Sequence, residues 1–220
     1  MRFIGDVHGK FSAYKRLIRN VPVSRQVGDM GVGFRNRLGE PTANPPRDSM
    51  KRYGDHRFIR GNHDNPGACA GMELHIRDGV FDETNNIFYV GGAKSIDVQY
   101  RTEDYDWWRG EELTYAEFQP IIDEYERIKP RVMVTHDAPE DVVKRLFHDH
   151  MKFDYPSITR QAFDIMLGLH QPELWVFGHW HKRRDWVVQT TRFVCLAELD
   201  WMDVDMNSLD ITFNPKPDDM

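Results

Sequence analysis

With 220 residues, 40% hydrophobic and 29% charged, the chain has the balance of a globular protein and the length to bury a sizeable core. A formal charge of −6 argues against a broadly basic nucleic-acid surface, although a local positive cleft is compatible with it. No apolar run approaches the roughly 20 residues that span a bilayer, and Cys69 and Cys195, without CxxC spacing, indicate neither a disulfide framework nor a zinc ribbon.

The first element is the run "RFIGDVHGK", residues 2–10, a strand start that meets Asp6 and His8. A carboxylate and an imidazole at i and i+2 turn toward one point only where the backbone bends sharply, which the neighbouring glycines permit. A metal-binding loop and a solvated surface turn both fit this motif taken alone. Because the strand begins at residue 2, no cleavable signal segment is expected, and the expected location is cytoplasmic.

A helical pattern follows in "FSAYKRLIRN", and the next apolar run, "RQVGD", ends at Asp29. Residues 31–53, rich in Gly, Pro and charge, are longer than an ordinary connection and are expected to form a substrate-side loop. "HRFIRGNHD" then ends at Asn62 and His63, and "IFYVGG" is a further buried strand. "TYAEFQPIIDEYERI" reads as a helix that Pro120 should kink or delay, and "RVMVTHD" as a strand ending at His136. A helix over Ser157–His170, with Ser157 as N-cap and Gln171-Pro172 closing it, precedes "LWVFGHWH", which ends at His179 and His181. From Trp186 to Phe213 the closely spaced runs "WVVQT", "RFVCLAEL" and "LDITF" predict an antiparallel ending, and "NPKPDDM" a frayed tail. The class is α/β, and one domain over residues 1–220 is expected.

Each polar cluster has a bland reading: a lone His136 is more often a satisfied buried histidine, and "HDH" at His148–His150 reads as solvated surface. The conjunction is different. Asp6, His8, Asp29, Asn62, His136, His179 and His181 all follow apolar runs. If those runs are neighbouring strands, their carboxyl ends converge along one edge, where open α/β sheets bind ligands. A metal centre is the expectation.

The ordered set D-x-H, G-D, G-N-H-D, H and G-H-x-H, from Asp6 to His181, resembles the calcineurin-like metallophosphoesterase superfamily. Residues 91–113, "GGAKSIDVQYRTEDYDWWRGEEL", also resemble a segment of small bacterial and phage members. The resemblance implies a four-layer α/β/β/α sandwich with two central mixed sheets. It implies one metal on Asp6, His8, Asp29 and His181 and a second on Asp29, Asn62, His136 and His179, with Asp29 as the bridge. Such mixed nitrogen and oxygen ligands suit Mn²⁺ first, then Fe, Zn²⁺ or Ni²⁺. Two cations about 3.5–4 Å apart activate a shared water, so that hydroxide attacks a phosphoester in line.

His63 is then a proton donor to the leaving group or a support for the ligands. Arg60 matches the arginine of "RGNH" in serine/threonine protein phosphatases and is expected either to hold phosphate oxygens or to be a solvated strand-end charge. Arg101, with Asp97, is a cleft candidate by resemblance. Trp107 either stacks on a base or packs in the core. "GDMGVG" departs from the protein phosphatase branch: Val32 stands where a further aspartate would orient the catalytic histidine. The two histidines of "GHWH" are shared with phosphodiesterases. The leading expectation is therefore a dinuclear phosphodiesterase acting on small phosphodiesters or nucleotides, with no membrane partner. A phosphomonoesterase or protein phosphatase, and a non-catalytic docking module on the same fold, are the alternatives.

Overall fold

The computed structural model describes residues 1–35, 44–147 and 156–215. In chain order its elements are β1 (Arg2–Ile4), α1 (Phe11–Ile18), β2 (Val23–Gln26), α2 (Arg47–Tyr53), β3 (Asp55–Phe58), α3 (Pro66–Ala70), β4 (Val80–Asp82) and β5 (Ile87–Val90). There follow a 3-10 turn (Val98–Tyr100), α4 (Tyr115–Ile128), β6 (Val132–Thr135), α5 (Glu140–Leu146), α6 (Ile158–Leu169), β7 (Leu174–Phe177), β8 (Arg184–Val188), β9 (Thr191–Cys195), β10 (Trp201–Val204) and β11 (Ile211–Phe213).

The unbroken apolar strands β5, β6 and β7 are buried at every position because each separates two cores. Ile87, Tyr89, Val132, Val134, Leu174 and Val176 meet Phe3 and Met202 of the other sheet in a central core. The alternate residues Phe88, Met133 and Trp175 face Phe118, Tyr125 and Phe163 of the helices α4 and α6. On the far side, Ile4 and Phe58 pack against Tyr14, Ile18, Met50 and Cys69 of α1, α2 and α3. Side chains of a strand alternate between faces, so three cores in this arrangement make a four-layer α/β/β/α sandwich.

One sheet has the order β11-β10-β1-β2-β3 and the other β4-β5-β6-β7-β9-β8. Both are mixed: β1, β2 and β3 are parallel, as are β5, β6, β7 and β9, while β10, β11, β4 and β8 pair antiparallel. The parallel strands aim their carboxyl ends at a common edge, which fixes where the site lies.

Two local expectations need correction. The helix α4 runs through Pro120 from Tyr115 without delay. Its start is held by a capping box in which Thr114 and Glu117 satisfy each other's backbone N–H groups, and Pro120 lies on the exposed face. The end of the expected 31–53 loop is helical: α2 buries Met50 in the outer core, and residues 36–43 lie outside the described residues. Of the tail expected to fray, Asn214 donates its N–H to the Trp201 carbonyl at 3.1 Å, and residues 216–220 lie outside the described residues. His148–His150 lie outside the described residues. Among the described residues no helix is long and apolar enough to cross a membrane.

Candidate metal centre

Asp6 and His8 follow β1, Asp29 follows β2, Asn62 and His63 follow β3, His136 follows β6, and His179 and His181 follow β7. The turns that re-aim these side chains are sharp. His8, Asp29, His179 and His181 all have positive φ, between 47° and 67°, a region non-glycine residues rarely occupy and one that concentrates at functional sites. The glycine before Asn62 is needed for closeness: a Cβ on Gly61 would strike the backbone and carboxylate of Asp29.

Two buried aspartates tie the turns to one another. The carboxylate of Asp64 accepts the N–H groups of Met30 (3.0 Å), Gly31 (2.7 Å), Val32 (2.8 Å) and Gly61 (2.8 Å), locking the Asp29 turn to the Asn62 turn. Asp137 accepts the indole N–H of Trp180 at 2.8 Å, joining the His136 turn to the turn that carries His179 and His181. Asp64 is visible in the sequence as the last letter of "GNHD", but most of its partners lie some thirty residues away, beyond the reach of local pattern.

The ligand-type atoms gather in two clusters. In one, Asp6, His8, Asp29 and His181 each bring a ligating atom to within 4.8 Å of the others. The two Nε2 atoms of His8 and His181 face each other at 3.0 Å, and His181 Nε2 lies 3.0 Å from Asp6 Oδ2. In the other, Asn62 Oδ1 is 3.1 Å from His136 Nε2 and 3.0 Å from His179 Nδ1, and His136 Nε2 is 3.3 Å from Asp29 Oδ1. Asp29 stands between them, with Oδ1 toward His136 and Oδ2 3.8 Å from His8 Nε2.

The donor and acceptor pattern calls for a positive charge in this gap. His136 Nδ1 lies 2.9 Å from the Val27 carbonyl, which only accepts, so Nδ1 carries a proton. In the neutral ring Nε2 is then a bare lone pair facing two acceptor oxygens, a contact that only a proton or a cation reconciles. Burial pulls the His136 pKa down, but the charge and hydrogen bond of Asp29 overcome it and push it up to about 10. Burial likewise works against the Asp29 carboxylate, yet His136, His63 and His8 hold its pKa well below the usual range. Asp29 Oδ2 is buried with no hydrogen-bond donor. Burial and the charge of His136 keep His179 well below the ordinary histidine pKa, so its ring is neutral and able to ligate. This donor set fits divalent cations of the Mn²⁺ to Zn²⁺ group.

His63 flanks both clusters. Its ring lies 5.4 Å from that of His8 and 5.5 Å from that of Phe34, and burial lowers its pKa. Phe34 also meets Trp108 edge-on at 5.6 Å, giving the site an aromatic wall that its sequence context, a Gly-rich stretch, does not announce. Arg101 is held by Asp97 at 2.6 Å and Asp106 at 3.7 Å, and its charge acts on both Asp29 and His63. Trp107 lines a cleft with Lys94, Ser95, Gln99 and Glu111. Arg60 is buried, with Nε on Asp78 at 2.9 Å and Nη1 on the carbonyls of Gly110 and Glu111 at 3.1 and 2.8 Å. Two larger surface cavities, of about 570 and 430 Å³, lie elsewhere, at Arg2, Val23 and Asp203 and at Arg57, His75 and Tyr89; ligand chemistry, not cavity size, marks this site.

A four-layer sandwich that collects carboxylate, amide and imidazole atoms at the carboxyl ends of parallel strands defines a metal-binding α/β class of protein. The chain belongs to the calcineurin-like phosphoesterase family, whose sequence profile matches residues 2–183, and membership implies a hydrolase of phosphoesters. In fold it is similar to the protein TT1561 of Thermus thermophilus, with a TM-score of 0.60, 12% identity and 97% of each chain covered. It also aligns with an archaeal phosphodiesterase at a TM-score of 0.42 and 12% identity, over 97% of this chain and 99% of that one. No curated protein matches the sequence.

Proposed function

We propose that this protein hydrolyses phosphodiesters of small molecules or nucleotides at a two-cation centre, Mn²⁺ being the first choice of metal. The observation that carries the reading is the position of Asp29, one oxygen toward each ligand cluster and one of them without a donor. Asp6, His8, Asp29 and His181 would hold one cation, and Asp29, Asn62, His136 and His179 the other. Such a pair supplies a water acidic enough to be hydroxide near neutral pH and offsets the charge of the phosphoryl oxygens.

The remaining roles fall to the chain's own side chains. His63, at the rim of both clusters, offers its ring N–H to the departing ester oxygen as charge develops there. Arg101, steadied by Asp97 and Asp106, contributes positive charge on the same side and orients the phosphate. Phe34, tilted against His63, gives the leaving group an apolar face. Arg60 is assigned as a clamp on the Gly110–Glu111 backbone instead of one of the two roles its motif left open, the phosphate grip, because its Nε lies on Asp78 and its Nη1 on two carbonyls, while Nη2, which has no partner, is buried. That assignment favours diesters: with Arg60 withdrawn, the site has less cationic charge to match the second negative charge of a monoester. Both cysteines are buried and free, which fits a reducing compartment such as the cytoplasm.

The test is to strip the protein of metal, restore Mn²⁺, and compare bis-p-nitrophenyl phosphate with p-nitrophenyl phosphate. Faster cleavage of the diester is expected. Faster monoester cleavage would transfer the assignment to a phosphatase, and no cleavage of either would favour a docking module.

A further inference from the structure

We infer that Ser95 and Glu111 act as positioning residues that set the orientation of the Asn62 amide, so that its oxygen rather than its nitrogen faces the second cation position. The inference rests on the two-cation reading and adds a layer to it.

A carboxamide has nearly the same shape after a half-turn about its last bond, so hydrogen-bond partners alone choose which end faces where. Asn62 is buried, and its Nδ2 donates to Ser95 Oγ at 2.9 Å. A hydroxyl can accept that bond while sending its own proton elsewhere, and here the proton goes to Glu111 Oε2 at 2.5 Å. The other oxygen, Oε1, accepts the backbone N–H of Ser95 at 3.0 Å. Both Glu111 oxygens thus accept, the pattern of an ionised carboxylate; burial raises the pKa of this group, and its two hydrogen bonds from Ser95 oppose that rise by favouring the charged form. The polarity runs one way: Asn62 donates to Ser95, and Ser95 donates to Glu111.

With Nδ2 committed, Oδ1 is left on the opposite side, 3.1 Å from His136 Nε2 and 3.0 Å from His179 Nδ1. The reversed amide would direct two N–H donors at the place a cation is to occupy. Arg60 extends the chain outward: its grip on the carbonyls of Gly110 and Glu111 holds the backbone from which the Glu111 carboxylate reaches Ser95. In this way the arginine of "RGNH" supports the asparagine of the same motif through a loop some fifty residues away. Groups that orient a ligand typically change metal affinity by about 10–100-fold when removed.

The experiment measures Mn²⁺ bound per chain across a titration, for the full-length protein and for Ser95→Ala, Ser95→Thr and Glu111→Gln. The native chain is expected to take up two equivalents. Ser95→Ala loses the acceptor for Nδ2, and Glu111→Gln turns a donor toward Ser95 and reverses the polarity. Both variants should keep one equivalent at native affinity and weaken the other by about 10–100-fold, and Ser95→Thr, which keeps the hydroxyl, should restore it. Should Ser95→Ala fail to fold, Glu111→Gln carries the same expectation. Two equivalents at native affinity in both Ser95→Ala and Glu111→Gln would overturn the inference, as would equal weakening of both equivalents. A native chain that binds only a single equivalent would instead overturn the two-cation reading, and this inference with it.

Discussion

The backbone N–H of His63 donates to Oδ1 of Asp29 at 2.8 Å. The residue proposed to assist the leaving group is therefore bound to the proposed bridging ligand through its main chain, while its ring is left for substrate. Truncating the ring leaves that bond in place. His63→Ala should accordingly keep both Mn²⁺ equivalents while turnover falls by about 10²–10⁴-fold, the usual contribution of a positioned proton donor. Metal content by elemental analysis, measured beside the rate, checks this; loss of metal parallel to loss of rate would remove His63 from its assigned role.

Asp64 presents a different kind of support. Its carboxylate accepts four backbone N–H groups from two turns, and an asparagine there can satisfy only those on its oxygen side while its NH₂ confronts the rest. Each buried donor left unpaired costs about 1–3 kcal/mol. Asp64→Asn should therefore lower the unfolding free energy by about 2–4 kcal/mol and weaken both Mn²⁺ equivalents together, because the Asp29 and Asn62 turns loosen as one. Urea unfolding and a metal titration read the two effects.

The contrast between Asp29 and Asp64 shows what is legible in the sequence. Asp6, His8, Asp29, Asn62, His136, His179 and His181 each announce themselves locally, as polar groups where an apolar strand stops, and the structure brings all of them together at the carboxyl ends of strands from both sheets. The roles of Asp64, Asp137, Ser95 and Glu111 depend on partners distant in sequence, and no periodicity encodes such pairings. Arg60 is legible only in part for the same reason: its motif neighbours are local, but Asp78 and the carbonyls of Gly110 and Glu111 that hold its Nε and Nη1 are not. The four layers follow from family resemblance; the apolar runs of β5, β6 and β7 imply burial on both faces without saying which helices or strands cover each face. The short β4 and α5 carry too few residues for a pattern to emerge.

His75 makes acid destabilising at a place remote from the ligand clusters. Both its ring nitrogens are buried without hydrogen bonds, beside the ring of Phe58 at 5.5 Å. Burial, opposed by Asp78, lowers its pKa from 6.5 to about 4. Below pH 6.5 the unfolded chain takes up a proton that the folded chain refuses until about pH 4, so the stability present at neutral pH is lost progressively across that window. The full loss is on the order of 3 kcal/mol. Chemical denaturation at a series of pH values should show His75→Leu with a flatter profile between pH 6.5 and 4 than the native chain; superimposable slopes would assign the acid sensitivity elsewhere.

Asp29 is shared by both ligand clusters, and metal removal can expose this sharing. A cation bound only to the folded state stabilises it by about 2.7 kcal/mol when present at about a hundred times its dissociation constant, so chelation should lower the melting temperature and Mn²⁺ restore it. His181→Ala removes a ligand from one cluster and His179→Ala from the other, and each should forfeit one Mn²⁺ equivalent and its share of the rise. Asp29→Asn keeps the shape but halves the ligating oxygens and removes the charge that both positions use, and should forfeit the two equivalents together. Retention of one tight equivalent in Asp29→Asn would mean that the carboxylate serves a single cation and that the clusters bind independently.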